Sequence, residues 1–122
     1  MTDLQANAFD FGIRIVELAG WLKGEGKEFP LINRLLECGT GLGISLRAAN
    51  GLNIKDSSIK ALRLADEAQY LLELMVKTSF LTELQSKPLL SDCLALKEEI
   101  GRLKALPSAY RLTGNGKSTR KP

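Results

Sequence analysis

Apolar residues recur at the three-and-four spacing of helices in four successive segments of the chain. From about Leu4 to Lys23, Phe9, Ile13, Val16 and Gly20 fall on one line, and Phe11, Ile15, Leu18 and Leu22 on the adjacent one. Gly24 and Gly26 punctuate its end, as glycines after a helix do. Pro30 suits the first turn of a second helix, where its missing N–H costs nothing. Along that helix Leu31, Leu35, Cys38, Leu42, Ser45 and Ala49 keep the period, and Asn50-Gly51 ends it. Asp56 or Ser57 can cap a third helix reaching about Thr78. Its stripe of Leu62, Ala65, Gln69, Leu72 and Val76 is flanked by Leu64, Ala68, Leu71 and Met75. Two adjoining apolar lines predict a wide buried face.

Thr82-Glu83-Leu84-Gln85 matches a capping box, a hydroxyl followed three positions later by Gln. Pro88 then leaves two possibilities: a short turn over 82–86 ahead of the main helix, or one helix kinked there. Leu89, Cys93, Leu96, Ile100 and Leu103 give the cleanest heptad, up to Leu106-Pro107. No segment combines β-branched enrichment with strict alternation, so no strand is expected. Short connections favour antiparallel neighbours. The pattern predicts an all-α, up-down-up-down antiparallel four-helix bundle over residues 1–106. Residues 107–122, PSAYRLTGNGKSTRKP, have no apolar period and read as a disordered basic tail.

The run Cys38-Gly39-Thr40-Gly41-Leu42-Gly43-Ile44-Ser45 tests whether phosphate chemistry is present. A dinucleotide loop needs a preceding strand and an acidic residue about twenty positions on, and a P-loop must end in Gly-Lys-Ser/Thr. Neither context exists, and the preceding LINRLLE has helical periodicity. Glycine inside a helix costs about 1 kcal/mol relative to alanine. Gly39 and Gly43, four apart, share one face and leave a shallow groove for a second backbone. Their partner helix can belong to this chain or to another subunit.

Composition narrows the chemistry. The 122 residues contain no histidine, which removes the commonest general base, the commonest metal ligand and every Ser-His or Cys-His pair. Glu98-Glu99 and Asp66-Glu67 are adjacent pairs that diverge on a helix instead of converging. No catalytic residue, metal or cofactor is expected, and the chain reads as a non-enzyme. Cys38 and Cys93 are expected as free, buried thiols. No apolar run reaches the roughly 18 residues of a membrane span. The first residues lack the pattern of a signal peptide, so cytoplasmic residence is the expectation. Residues 1–100 hold 11 basic and 14 acidic side chains, whereas 101–122 hold six basic and no acidic ones. A mildly acidic body thus carries a basic end.

The stretch from Arg34 to Leu106 resembles the four-helix-bundle family that includes the 23S rRNA intervening-sequence proteins. The resemblance is nearest to the branch containing the accessory variability determinant of diversity-generating retroelements. The residues that carry it are RLLECGTGLGISLRAAN, then ALRLADEAQYLLELMVKTSFLT and LKEEIGRLKAL, with Phe29-Pro30 ahead of helix two. The resemblance implies a homopentameric barrel that binds nucleic acid and a reverse transcriptase. Candidate phosphate contacts are Arg34, Arg47, Lys60, Arg63, Arg102 and Lys104, with Arg111, Lys117, Arg120 and Lys121 in the tail. Gly39, Gly43, Trp21 and Tyr70 are the candidate packing or interface residues. A protein–protein adaptor or self-assembling scaffold with no nucleic-acid role is the alternative.

Overall fold

The computed structural model describes residues 2–104, in which four helices and no strand form an antiparallel bundle: α1 (Asp3–Gly24), α2 (Ile32–Arg47), α3 (Ile54–Lys77) and α4 (Glu83–Lys104). The expected tail at 107–122 lies outside the described residues. Each helix packs on its chain neighbour, and α4 returns to α1 through the lightest of the four contacts. The core takes the inner line of α1 (Phe11, Ile15, Leu18, Leu22), Leu35, Cys38 and Leu42 of α2, and Leu72 and Met75 of α3. From α4 it takes Leu89, Cys93, Leu96 and Ile100, the heptad positions read from sequence. Where α3 meets its neighbours, Ser58, Ala61, Ala65 and Ala68 form a buried line of small residues. Short side chains there let helices approach closely, and the Cys93 thiol donates to the Ala65 carbonyl at 3.3 Å.

The helix ends follow from local hydrogen bonding. α1 starts with a reciprocal capping box: Gln5 N–H donates to Thr2 Oγ1 (3.1 Å), and Thr2 N–H donates to Gln5 Oε1 (2.9 Å). It stops in a Schellman motif, with Lys27 N–H donating to the Leu22 carbonyl (2.9 Å), Gly26 N–H to Lys23 (3.1 Å), and Gly26 at φ +70°. The predicted Thr82–Gln85 box opens α4, with bonds of 2.9 and 3.0 Å. α4 then runs unbroken through Pro88. The carbonyl that Pro88 leaves without a donor is that of Leu84, on the solvent side of the helix.

Three boundaries differ from the sequence expectation. Pro30 lies ahead of helix two, in a turn closed by Ile32 N–H donating to the Phe29 carbonyl (3.1 Å), and α2 begins at Ile32. The fixed φ of proline suits the second position of such a turn. α2 also ends at Arg47, short of Asn50-Gly51. Asn50 Oδ1 accepts Leu52 N–H (2.8 Å) and Asn53 N–H (3.1 Å), while Asn53 Oδ1 accepts Asn50 N–H (2.6 Å). Asparagine side chains that bind nearby backbone compete with the helix and set a turn instead. α3 consequently starts at Ile54, with Asp56 already in its first turn, where a carboxylate favours the helix dipole.

The end of α3 repeats the Schellman pattern without a glycine. Phe80 N–H donates to the Met75 carbonyl (2.8 Å), Ser79 N–H to Val76 (3.1 Å), and Ser79 itself sits at φ 68°. A side chain in the left-handed region costs about 1 kcal/mol or somewhat more. Ser79→Gly is therefore expected to stabilise the protein by about 1 kcal/mol in urea unfolding. An unchanged or lowered midpoint would contradict the strain assigned to this position.

Candidate functional site

Helix α1 is apolar on two lines, and the core uses one of them. Phe9, Ile13 and Val16, spaced four and three apart, face outward and stay 50%, 42% and 53% exposed. Ile44 of α2, 68% exposed, stands across from them. Between the two helices runs an apolar groove of about 360 Å³. Its floor is low because small residues line it. A Cβ at Gly12 would lie 3.7 Å from the Gly39 carbonyl oxygen, and one at Gly43 would lie 3.5 Å from that of Ala8. Arg47 closes one end with its guanidinium 5.1 Å from the Phe9 ring centroid, a cation–π contact. Glu17 marks the other end, and Gln5 is held by a bond from its amide to the Leu46 carbonyl (3.1 Å).

The glycines of α2 divide between two partners within the chain. Gly39 receives Ile15 of α1, and a Cβ there would lie 2.7 Å from Ile15 Cγ1. Gly43 forms the groove floor, and Gly41 faces Leu64 of α3, with 3.2 Å between an added Cβ and Leu64 Cδ1. Trp21 is exposed beyond the groove, where Lys27 Nζ lies 5.1 Å from its ring. Tyr70 is exposed on α3, remote from both.

The candidate cations do not form one patch. Arg34 near the start of α2 donates through Nε (2.8 Å) and NH2 to Glu67 of α3, with Glu37 at 3.7 Å. That hydrogen bond and the Glu67 charge raise its pKa further, so Arg34 is a bridge between helices. Arg47 lies about 20 Å away at the opposite end of α2, from the helical rise over thirteen residues. By the antiparallel course, Lys60 and Arg63 in the first half of α3 and Arg102 near the end of α4 share that end. All three are exposed and have no ion-pair partner among the described residues. Lys104 closes α4, and Arg111, Lys117, Arg120 and Lys121 lie outside the described residues.

Among the described residues no three His, Cys, Asp or Glu side chains converge to hold a metal. Both cysteines are free and buried, and burial pushes each thiol up to about 11. A thiol held protonated in this way is a poor nucleophile at neutral pH. Among the described residues no helix is long and apolar enough to cross a membrane.

The described residues form an all-α four-helix bundle with one exposed apolar groove between α1 and α2. No family model and no curated protein matches the chain. It is similar in structure to a crystal structure of a protein of unknown function from the S23 ribosomal protein family of Bacteroides thetaiotaomicron. That likeness has a TM-score of 0.78 at 26% identity and covers 84% of this chain and 99% of that one. It agrees with the 23S rRNA intervening-sequence fold implied by residues 34–106, and it covers more of the chain than that stretch.

Proposed function

We propose that this chain is a non-enzymatic, self-associating accessory protein that binds nucleic acid at one basic end. The observation that carries the proposal is the topology, which puts Arg47, Lys60, Arg63 and Arg102 in the half of the bundle where α4 stops. Residues 105–122, which follow α4 in the sequence, hold four further basic side chains. Self-association would draw on the exposed line Phe9–Ile13–Val16 and on Ile44, since apolar stripes of this kind mark interfaces. In an oligomer the basic ends would sit together, and individually weak phosphate contacts would gain by avidity. The resemblance to retroelement accessory proteins adds a homopentamer and a reverse-transcriptase-type partner, and a cytoplasmic setting fits both. The structural neighbour is of unknown function, and the name of its family, S23 ribosomal protein, is in keeping with a role beside RNA. A second reading, a protein adaptor or scaffold without nucleic acid, draws on the groove itself, which would suit an apolar helix as well.

The test is binding of a structured RNA by fluorescence anisotropy at about 50 and 200 mM salt. The full chain is compared with a variant carrying Gln at Arg111, Lys117, Arg120 and Lys121. For four phosphate contacts the affinity of the full chain is expected to fall about a hundredfold over that range. The variant should bind more weakly and lose much of this salt dependence. Absence of binding at either salt concentration would leave the adaptor reading.

A further inference from the structure

The α1–α2 groove is slender. Phe9 and Glu17 mark its ends on α1, about 12 Å apart at the helical rise. A volume of about 360 Å³ over that length leaves a cross-section of about 30 Å², whereas a helix about 10 Å across needs about 80 Å². A helix can therefore rest on the rims, but only a narrow apolar chain fits down onto Gly12 and Gly43. Space of this size falls at the lower end of small-molecule sites. The two ends differ in charge. At one, the cation–π contact with Phe9 holds Arg47 in place, and no ion-pair partner among the described residues takes its donors. The N-terminus of α1 and the C-terminus of α2 meet there, and their opposed dipoles offset each other, so Arg47 sets the local charge. At the other end Glu17 is exposed, while Arg34 and Glu37 of α2 are engaged with each other and with Glu67. Asp3, Asp10 and Arg14 share the helical line of Asn7 and so lie on the α4 side of α1.

We infer that the groove binds a single-chain amphiphile with one anionic head, a medium-chain carboxylate, with its head at Arg47 and its tail running past Ile13 toward Glu17. A guanidinium pairs with a carboxylate through parallel N–H donors. An extended chain advances about 1.2 Å per bond, so the groove takes about ten carbons. Gly12 and Gly43 keep the floor low enough for the tail to enter. Glu17 sets the direction, because a head placed at that end would face a like charge. The inference goes beyond the self-association proposed above and does not rest on it: that reading uses the rims of the groove, and this one its interior.

Titration calorimetry of the full chain with decanoate, below its micellar concentration, tests the site. One decanoate per chain is expected. Octanoate should bind about fourfold more weakly, since a half-open groove gives about half the full burial value for each methylene. Decanol, which lacks the charge, should bind about fivefold more weakly than decanoate. Decanedioate, whose second carboxylate would face Glu17, should also bind more weakly. Arg47→Gln should erase the preference for decanoate over decanol, and Glu17→Gln should narrow the gap between decanoate and decanedioate. Both residues are exposed, so circular dichroism should show native helix content in each variant. Gly43→Ala raises the floor by one methyl, in ordinary contact 3.5 Å from the Ala8 carbonyl oxygen, and favours the helix. It should weaken decanoate binding about threefold while raising the melting temperature. Equal affinity for decanoate and decanol in the wild-type chain, or uptake of several molecules per chain, would overturn the inference. Absence of decanoate binding would overturn it too, and self-association lost in Ile13→Asp would then give the groove to a second copy.

Discussion

Gly39→Ala is expected to lower the melting temperature by about 10 °C, although alanine in a helix interior ordinarily stabilises by about 1 kcal/mol. The cause is Ile15. An added Cβ would lie 2.7 Å from its Cγ1 and 3.0 Å from its Cβ and Cγ2, and these atoms sit close to the α1 backbone. A β-branched side chain in a helix has essentially one rotamer, so it cannot swing aside. Relief requires α1 and α2 to part, and overpacking of that kind costs about 1–3 kcal/mol. With contact this short the upper end applies, leaving a net loss of about 2 kcal/mol after the helix gain. Gly20→Ala in α1, where an added Cβ meets nothing within 4 Å, should instead stabilise by up to about 1 kcal/mol. Combining Gly39→Ala with Ile15→Ala should cost clearly less than the two losses added, because the clash disappears with the side chain. Thermal melts of the four variants decide the matter, and strict additivity would remove Ile15 as the cause.

Stability is expected to fall steeply between pH 9 and pH 11. Cys38 and Cys93 hold their protons to about 11 in the folded protein, against an ordinary value of 9.0, chiefly because burial disfavours the thiolate. Above pH 9 the unfolded chain releases protons that the folded chain keeps. Stability is therefore unaffected by these thiols below about pH 9 and is lost as pH rises through the folded value. By pH 10 the loss amounts to about 1.4 kcal/mol per thiol. Urea unfolding at pH 7, 9 and 10 measures it. The Cys38→Ala/Cys93→Ala variant starts less stable but should show a much flatter pH profile above 9. Equal slopes in the two proteins would assign the alkaline loss to other groups.

The period of apolar positions made the four helices legible, and the same period listed most of the core. Capping chemistry was legible where it was sought: the Thr82–Gln85 box forms as its spacing implies. The identical pattern at Thr2–Gln5 went unread because the apolar period starts only at Leu4. The loop boundaries escaped for a different reason. Asn50 and Asn53 bind each other's backbone across a turn, and a helical period carries no sign of that competition. The groove was half visible. Phe9, Ile13 and Val16 keep helical period as faithfully as Phe11, Ile15 and Leu18, so pattern alone does not say which line faces inward. Ile44 carried a clearer signal, since it lies off the stripe of Leu35, Cys38, Leu42 and Ser45 that α2 buries. Glycine spacing located a close approach on α2, but only the packed bundle shows Gly39 against α1 and Gly41 against α3.

The lightness of the α1–α4 seam bears on the order in which the bundle assembles. Three of its four helix contacts join chain neighbours, whose closure spans only short loops and costs little entropy. The fourth must bring together residues separated by most of the chain, as Asn7 and Glu99 are, and it offers the least packing in return. Such a map has low contact order, the topology of fast folders. The α2–α3–α4 core can form through local encounters, with α1 added from the α2 side. Closing the ring is then the last step of folding, and the seam is the first place to open under strain.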